Sequence, residues 1–423
     1  MKLSLPYDKK TIDIQIADEN FAGLLESKVE QYKANASQEA LIESSLDHPI
    51  GSPRLEELAK GKKNIVIISS DHTRPVPSKI ITPIMLRRIR QAQPDANIKI
   101  LVATGFHRPS TQQELVDKYG QEIVDREQIV MHVSTDDAGQ VKIGTLPSGG
   151  ECIVSRVAAE ADLLLSQGFI EPHLFAGFSG GRKSVLPGIS SYKTIMANHC
   201  SEFINSPRAR PGILDGNPIH ADMLYAAKTV NLRFIVNVIL NSKKEVIASF
   251  AGDLEKAHLK GCEFLTSLAK AKKVESDITI STNGGYPLDQ NIYQAVKGMV
   301  SAEATNKEGG VIIMVAGLAD GTGGAGFYKN LAQAKTPQDF LDQAAKTDRS
   351  HTIADQWESQ VLARILSKHQ VIVVSDLVKP ELVTNMHMQL ATSFNEALQR
   401  AYQIQGKDAK VAVIPNGLSV IVE

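Results

Sequence analysis

Short apolar runs that end in polar, turn-forming residues recur through the first half of the chain. Asn64-Ile65-Val66-Ile67-Ile68-Ser69 runs into Asp71-His72-Thr73-Arg74-Pro75, and Ile98-Lys99-Ile100-Leu101-Val102-Ala103 runs into Thr104-Gly105-Phe106-His107-Arg108-Pro109. Each run is short enough for a strand, and its continuous apolar character suits a strand covered on both faces. Helical periodicity follows both: Ile80 to Arg90 repeats apolar residues at helical spacing, and Thr111-Gln112-Gln113-Glu114 opens Leu115 to Val124 with a capping box. A further strand, Ile129 to Ser134, precedes the turn Pro147-Ser148-Gly149-Gly150, and Asp162-Leu163-Leu164-Leu165-Ser166 runs into Gly168-Phe169. Strand, polar turn and helix in repetition predict an open α/β sheet, whose ligands bind beyond the carboxyl ends of the strands. Asp71 to Pro75, Thr104 to Pro109 and Gly168 to His173 are therefore expected to converge, with His107 and His173 on neighbouring strands.

The second half repeats the alternation. Ile278-Thr279-Ile280-Ser281 enters Asn283-Gly284-Gly285-Tyr286-Pro287, a helix is predicted from Asp289 to Met299, and Val311 to Val315 leads to the loop Gly321 to Gly326. Val371 to Ser375 is another apolar strand. The expected fold class is α/β, with two α/β domains of open, largely parallel sheets and the site in the cleft between them. The predicted boundaries are 1–272 for the first domain and 276–396 for the second, with 253–275 and 393–408 as linking helices. The last strand, 409–423, is a candidate to return to the first domain. Alternating runs within Leu3 to Ile16 predict a strand pair at the start.

Composition narrows the function. A chain of 423 residues exceeds one ordinary core. Forty-six Lys and Arg balance 47 Asp and Glu, so no global field favours nucleic acid. The first residues lack an apolar signal core and no long uncharged apolar run occurs, so neither membrane nor secretion is expected and the predicted location is cytoplasmic. Cys152, Cys200 and Cys262 form neither a metal pair nor an even disulfide set.

The densest chemistry lies between Gly168 and His199. Gly177 to Ser184 nearly spells a phosphate-binding loop, with Arg182 where the second glycine belongs, and Pro187-Gly188 opposes the helix such a loop requires. What survives is a glycine-rich turn with Arg182 and Lys183 adjacent, suited to an anion. Lys183 reads as a solvated charge, a phosphate partner or a covalent tether. His107 and His173, each just past a strand end, form a candidate acid/base pair. His199 is either a metal ligand or a helix cap. Tyr293 and Lys297 share a helix face bordered by Gln294, which is a solvated face or a reach toward a carboxylate. Trp357, the single tryptophan, is either core packing or a flat surface over a bound ring.

Taken together, Asp71 to Pro75, Gly105 to Pro109, Glu171-Pro172-His173, Phe178 to Ser184, Asn198-His199, Asn283 to Gln290 and Tyr293 to Gly298 resemble the nickel-pincer lactate racemase family over essentially the whole length. The resemblance implies a racemase interconverting D- and L-lactate, or another 2-hydroxy acid, by proton-coupled hydride transfer through a keto acid. The implied cofactor is nickel held by a pyridinium-3-thioamide-5-thiocarboxylic acid mononucleotide attached to Lys183. His199 matches the protein's nickel ligand, and His107 and His173 match the acid/base pair. Arg74, Gln294 and Lys297 match substrate positions. Asp71, Thr73, Ser179, Gly180 and Tyr293 match cofactor-binding positions, and Trp357 is a further cofactor-binding candidate. The implied partners are the substrate and, transiently, cofactor-assembly proteins. A competing class is a nucleotide-binding or ATP-hydrolysing protein using Gly177 to Ser184.

Overall fold

The computed structural model describes residues 1–423, which divide into two compact units. One holds Val29–His199 and Pro207–Leu268. Its sheet is built from β1 (Asn64–Ser70), β2 (Asn97–Ala103), β3 (Gln128–Met131), β4 (Leu163–Phe169), β5 (Leu232–Leu240) and β6 (Val246–Gly252). Their spatial order is β6-β5-β4-β1-β2-β3, parallel except for the β5–β6 pair. Ile65 through Ile68 are all buried, as a strand covered on both faces requires. One face meets Ile81, Met85 and Ile89 of α1 (Ser78–Ala92) in a shared core. Burying each such side chain contributes roughly 2 kcal/mol. The predicted capping box is present on α2 (Gln112–Tyr119), where the Thr111 hydroxyl accepts from the Glu114 N–H and the Glu114 carboxylate accepts from the Thr111 N–H.

Strand order fixes where a ligand belongs. The chain lays down β1, builds β2 and β3 to one side, then crosses to place β4 on the other, so the switch point lies between β1 and β4. The sequence reading set His107 and His173 beyond neighbouring strands. In the structure β2 and β4 are not neighbours, because β1 stands between them.

The other unit holds Met1–Lys28, Cys200–Ser206 and Ala269–Glu423. Its strands β7 (Ser276–Thr282), β8 (Asn306–Val315), β9 (Gln370–Val374), β10 (Gln389–Ala391) and β11 (Val411–Ile414) lie in the order β10-β9-β8-β7-β11, extended on the β11 side by Phe21–Leu24, and all pairs are parallel. The predicted strand pair at the start forms as Lys2–Tyr7 against Lys10–Gln15. Its Leu5, Tyr7 and Ile14 pack into the same core as Ile278, Ile280, Val411 and Val413. That burial draws the first 28 residues and the last strand into this unit, whereas the sequence reading gave residues 1–28 to the first domain and let 409–423 return there. Two helices matter below: α4 (Ile292–Thr305) and α5 (Gln356–Leu366), the latter buried from Gln356 through Ile365. No helix is long and apolar enough to cross a membrane.

Candidate active site

Asp71, one residue past β1, is almost wholly buried, and its carboxylate receives the Nδ1 of His107 at 2.7 Å and the Thr73 hydroxyl at 2.6 Å. Burial opposes its ionisation, but the His107 bond and charge outweigh that, helped by Thr73 and Arg74, and hold the carboxyl down to about 2. An ionised carboxylate only accepts, so in the neutral form of His107 the proton sits on Nδ1 and Nε2 presents a lone pair. Arg74 Nη1 donates to the Thr73 hydroxyl oxygen at 2.9 Å, and the buried Lys118 of α2 donates to the Arg74 carbonyl at 3.3 Å. Desolvation lowers the Lys118 ammonium to about 8. Asp71, Thr73, Arg74 and His107 are thus brought together by two loops at the ends of β1 and β2, which His72 Nδ1 and Ser110 Oγ, 2.9 Å apart, also fasten.

Beyond β4 the chain forms a small antiparallel ladder, Pro172–His173 against Gly177–Phe178, then one 3₁₀ turn at Gly181–Ser184. A phosphate-binding loop would open an α-helix at Lys183, and none forms there. The turn is held from inside. Ser179 Oγ accepts from the Glu171 N–H at 2.9 Å and donates to the Phe169 carbonyl at 3.1 Å. The Gly181 N–H donates to Asn237 Oδ1 at 2.8 Å. At Gly180, φ is +78°, and a Cβ would stand 2.8 Å from the Phe169 carbonyl oxygen, so only glycine fits. Arg182 is fully buried and donates to the carbonyls of Ala176 (2.6 Å), Phe178 (2.8 Å) and Gly180 (3.2 Å) and to His220 Nδ1 (2.9 Å). The sequence reading paired Arg182 with Lys183 as an anion site; instead its guanidinium is occupied by backbone.

Phe175 gathers the remaining residues. Its ring lies 4.7 Å from the His173 ring and 5.3 Å from the His199 ring, both edge-on, and 5.9 Å from the Lys183 ammonium. His199 caps the helix Tyr192–Asn198, and its Nδ1 donates to the Ile195 carbonyl at 3.0 Å, which directs the Nε2 lone pair elsewhere. Burial, and then the Lys183 charge, push the His199 imidazole down to about 3, so it is neutral and able to coordinate. His173 has the opposite tautomer to His107. Its Nδ1 accepts from the N–H groups of Phe175 (3.5 Å) and Ala176 (3.3 Å), leaving the proton of the neutral ring on Nε2.

In the other unit, Trp357 Nε1 donates to the Tyr293 hydroxyl at 3.0 Å, joining α5 to α4. Asn291 caps α4 through the Gln294 N–H at 3.0 Å, and Lys297 follows Tyr293 by one turn.

These motifs are matched by family models across nearly the whole chain: the lactate racemase N-terminal domain over residues 7–212 and the lactate racemase C-terminal domain over 271–422. The chain belongs to the lactate racemase family. It is 66% identical over 421 residues to the lactate racemase of Lactiplantibacillus plantarum, covering 100% of this chain and 99% of that one. It is 53% identical over 420 residues to the lactate racemase of Thermoanaerobacterium thermosaccharolyticum, covering 99% of each. The solved lactate racemase apoprotein from Thermoanaerobacterium thermosaccharolyticum superposes with a TM-score of 0.97 at 52% identity, covering all of both chains. A Thermotoga maritima protein at 17% identity and a TM-score of 0.67, over 93% of this chain and all of that one, shares the fold.

Within this family member, Phe175, Lys118 and Asn237 escaped the sequence reading. Asn237 was detectable as the lone amide in the apolar strand Leu232–Leu240. Phe175 lies between two of the motifs as an ordinary aromatic, and nothing in the sequence marks its ring as the meeting point of His173, Lys183 and His199.

Proposed function

We propose that the protein racemises lactate, drawing a hydride from the 2-hydroxy acid and returning it to the opposite face. The observation that carries this reading is the cluster at Phe175, where a lysine, a neutral buried histidine and a candidate acid meet at one ring. Its support in homology is the 66% identity to a lactate racemase over the whole chain.

The residues fit the nickel-pincer mononucleotide that the family resemblance implies. No group of three His, Cys, Asp or Glu is assembled to hold a metal, so a lone neutral His199 suits a metal whose other donors arrive with an organic cofactor. Lys183 would be the covalent attachment and His199 the protein's nickel ligand. The hydroxyls of Ser70 and Ser78, where β1 ends and α1 begins, are buried without a protein partner, as a polar ligand at the switch point would leave them. Asp71, Thr73, Tyr293 and Trp357 are the further proposed cofactor residues. Ser179 and Gly180 serve by shaping the turn, since the Ser179 hydroxyl is bonded to backbone.

When bound, this cofactor supplies a hydride acceptor next to the substrate. His107, with its Nε2 lone pair backed by ionised Asp71, removes the hydroxyl proton as the hydride leaves. On the opposite face His173, entering the step as an imidazolium, protonates the carbonyl oxygen of the turned keto acid when the hydride returns and is left neutral, while His107 keeps the proton it took; the reverse reaction exchanges their duties. Arg74, Gln294 and Lys297 are assigned to the carboxylate and its orientation. We assign the protein to the cytoplasm, with cofactor-assembly proteins as transient partners, and other 2-hydroxy acids as the nearest alternative substrates.

The test is production with and without the assembly proteins, followed by intact mass, nickel content and chiral analysis of lactate. A Lys183-dependent mass increase, bound nickel and racemisation are expected together. ATP turnover with neither nickel nor added mass would overturn the reading in favour of a nucleotide-binding protein.

A further inference from the structure

Glu358 is a carboxylate placed where carboxylates are rarely tolerated. It lies on α5, a helix buried on every side, is about 1% exposed, and its Oε1 has no protein donor. Two contacts fix how α5 lies against α4: Trp357 to Tyr293 near the start of both helices, and Arg364 to Glu303, at 3.0 and 2.7 Å, near the end. Lys297 lies on α4 between those two anchor points, one turn beyond Tyr293, and Glu358 follows Trp357 directly. Burial pushes the Glu358 carboxyl well above the usual carboxylate range, and the Lys297 ammonium is the strongest charge acting in the opposite direction. The other charges facing it are Asp355, which opposes its ionisation, and Arg364, whose guanidinium is already committed to Glu303.

A buried carboxylate without a role is removed at little cost, since replacing it by an apolar group of similar size is often neutral or stabilising. We propose that Glu358 is a positioning residue that holds the Lys297 ammonium in place for the substrate carboxylate. This rests on the proposed role of Lys297 in substrate binding. A lysine has a flexible four-carbon stem and a point charge, so unaided it loses considerable side-chain entropy each time it binds. A second carboxylate, buried in a helix tied to α4 near both its ends, restrains the stem before substrate arrives. Because Glu358 ionises reluctantly, its attraction for Lys297 is weak enough that a substrate carboxylate can share the ammonium.

The experiment has two arms, each with Glu358→Gln, Glu358→Leu and Lys297→Ala beside the unchanged protein. In the cofactor-loaded enzyme, Glu358→Gln is expected to raise KM for lactate about ten-fold while kcat changes less than about three-fold, the pattern of lost uniform binding. In the protein without cofactor, the rate of Lys297 acylation by an amine-reactive ester at pH 9, read by peptide mass, is expected to rise about five-fold in Glu358→Gln, because removing a neighbouring negative charge lowers the lysine's pKa. Unchanged acylation would show that Glu358 does not act on Lys297 and would overturn the proposal, whatever the enzyme's activity. Changed acylation with unchanged KM would retain the contact and instead remove Lys297 from substrate binding. If neither Glu358 variant folds, the residue is a folding determinant and the positioning role is overturned.

Discussion

The ring of Phe175 meets the His199 imidazole edge-on at 5.3 Å, and the same ring carries the Lys183 ammonium at 5.9 Å. One apolar side chain therefore sets the spacing between the proposed tether and the proposed metal ligand. Phe175→Leu preserves an apolar core residue but removes the flat surface. It is expected to lower nickel affinity about ten-fold, in the range of other outer-shell changes at metal sites. Nickel content after dialysis against a graded chelator series measures this, and an affinity equal to that of the unchanged protein would contradict it.

Lys183→Ala is expected to abolish the covalent mass increase and nearly all racemisation while leaving the fold intact. The side chain is only half-buried and the turn is held by Arg182, Asn237 and Ser179. Intact-mass measurement with thermal unfolding separates loss of the tether from loss of structure.

Asp71→Asn keeps the shape but turns the acceptor facing His107 Nδ1 into an amide that can donate, which favours the wrong tautomer. A loss of about 10⁴ in kcat is expected, of the order seen when an Asp–His pair is broken in this way. Because the two lactate enantiomers are equal in free energy, the loss of kcat/KM must be the same in both directions. Chiral chromatography of D- and L-lactate reactions checks both the size and the equality.

The same pair predicts a pH dependence of stability. The Asp71 carboxyl is held at about 2 in the folded protein, against about 3.9 when unfolded. A depressed folded value stabilises above the unfolded value, and the contribution is lost as pH falls through about 2. The unchanged protein should exceed Asp71→Asn by about 2 kcal/mol at pH 5, and the margin should shrink steadily below about pH 4. Urea unfolding of both proteins from pH 5 to pH 2.5 measures it; a constant margin would contradict the pairing.

Much of this was legible in the sequence because it is local. Apolar runs identified the strands, the Thr111–Glu114 capping box marked the start of its helix, and His107 and His173 were read as lying just past strand ends. What escaped depends on contacts between distant residues. Whether Arg182 points toward a ligand or into the protein depends on the carbonyls of Ala176 and Phe178 and on His220, a surrounding that no window around Arg182 reveals. The placement of residues 1–28 follows from burial of Leu5 and Ile14 against strands some 260 to 400 positions away, about which local periodicity says nothing. That β1 stands between β2 and β4 is a matter of strand order, which the strands' own sequences do not encode.

That intervening strand sets a scale. Adjacent strands lie about 4.8 Å apart, so the strands preceding His107 and His173 are separated by about 10 Å of hydrogen-bonded backbone. Substitution of pocket side chains leaves this spacing unchanged. A racemase so built would take its tolerance for substrate size from the lattice of its sheet, and selection for bulkier hydroxy acids would have to act on the loops that carry the two imidazoles.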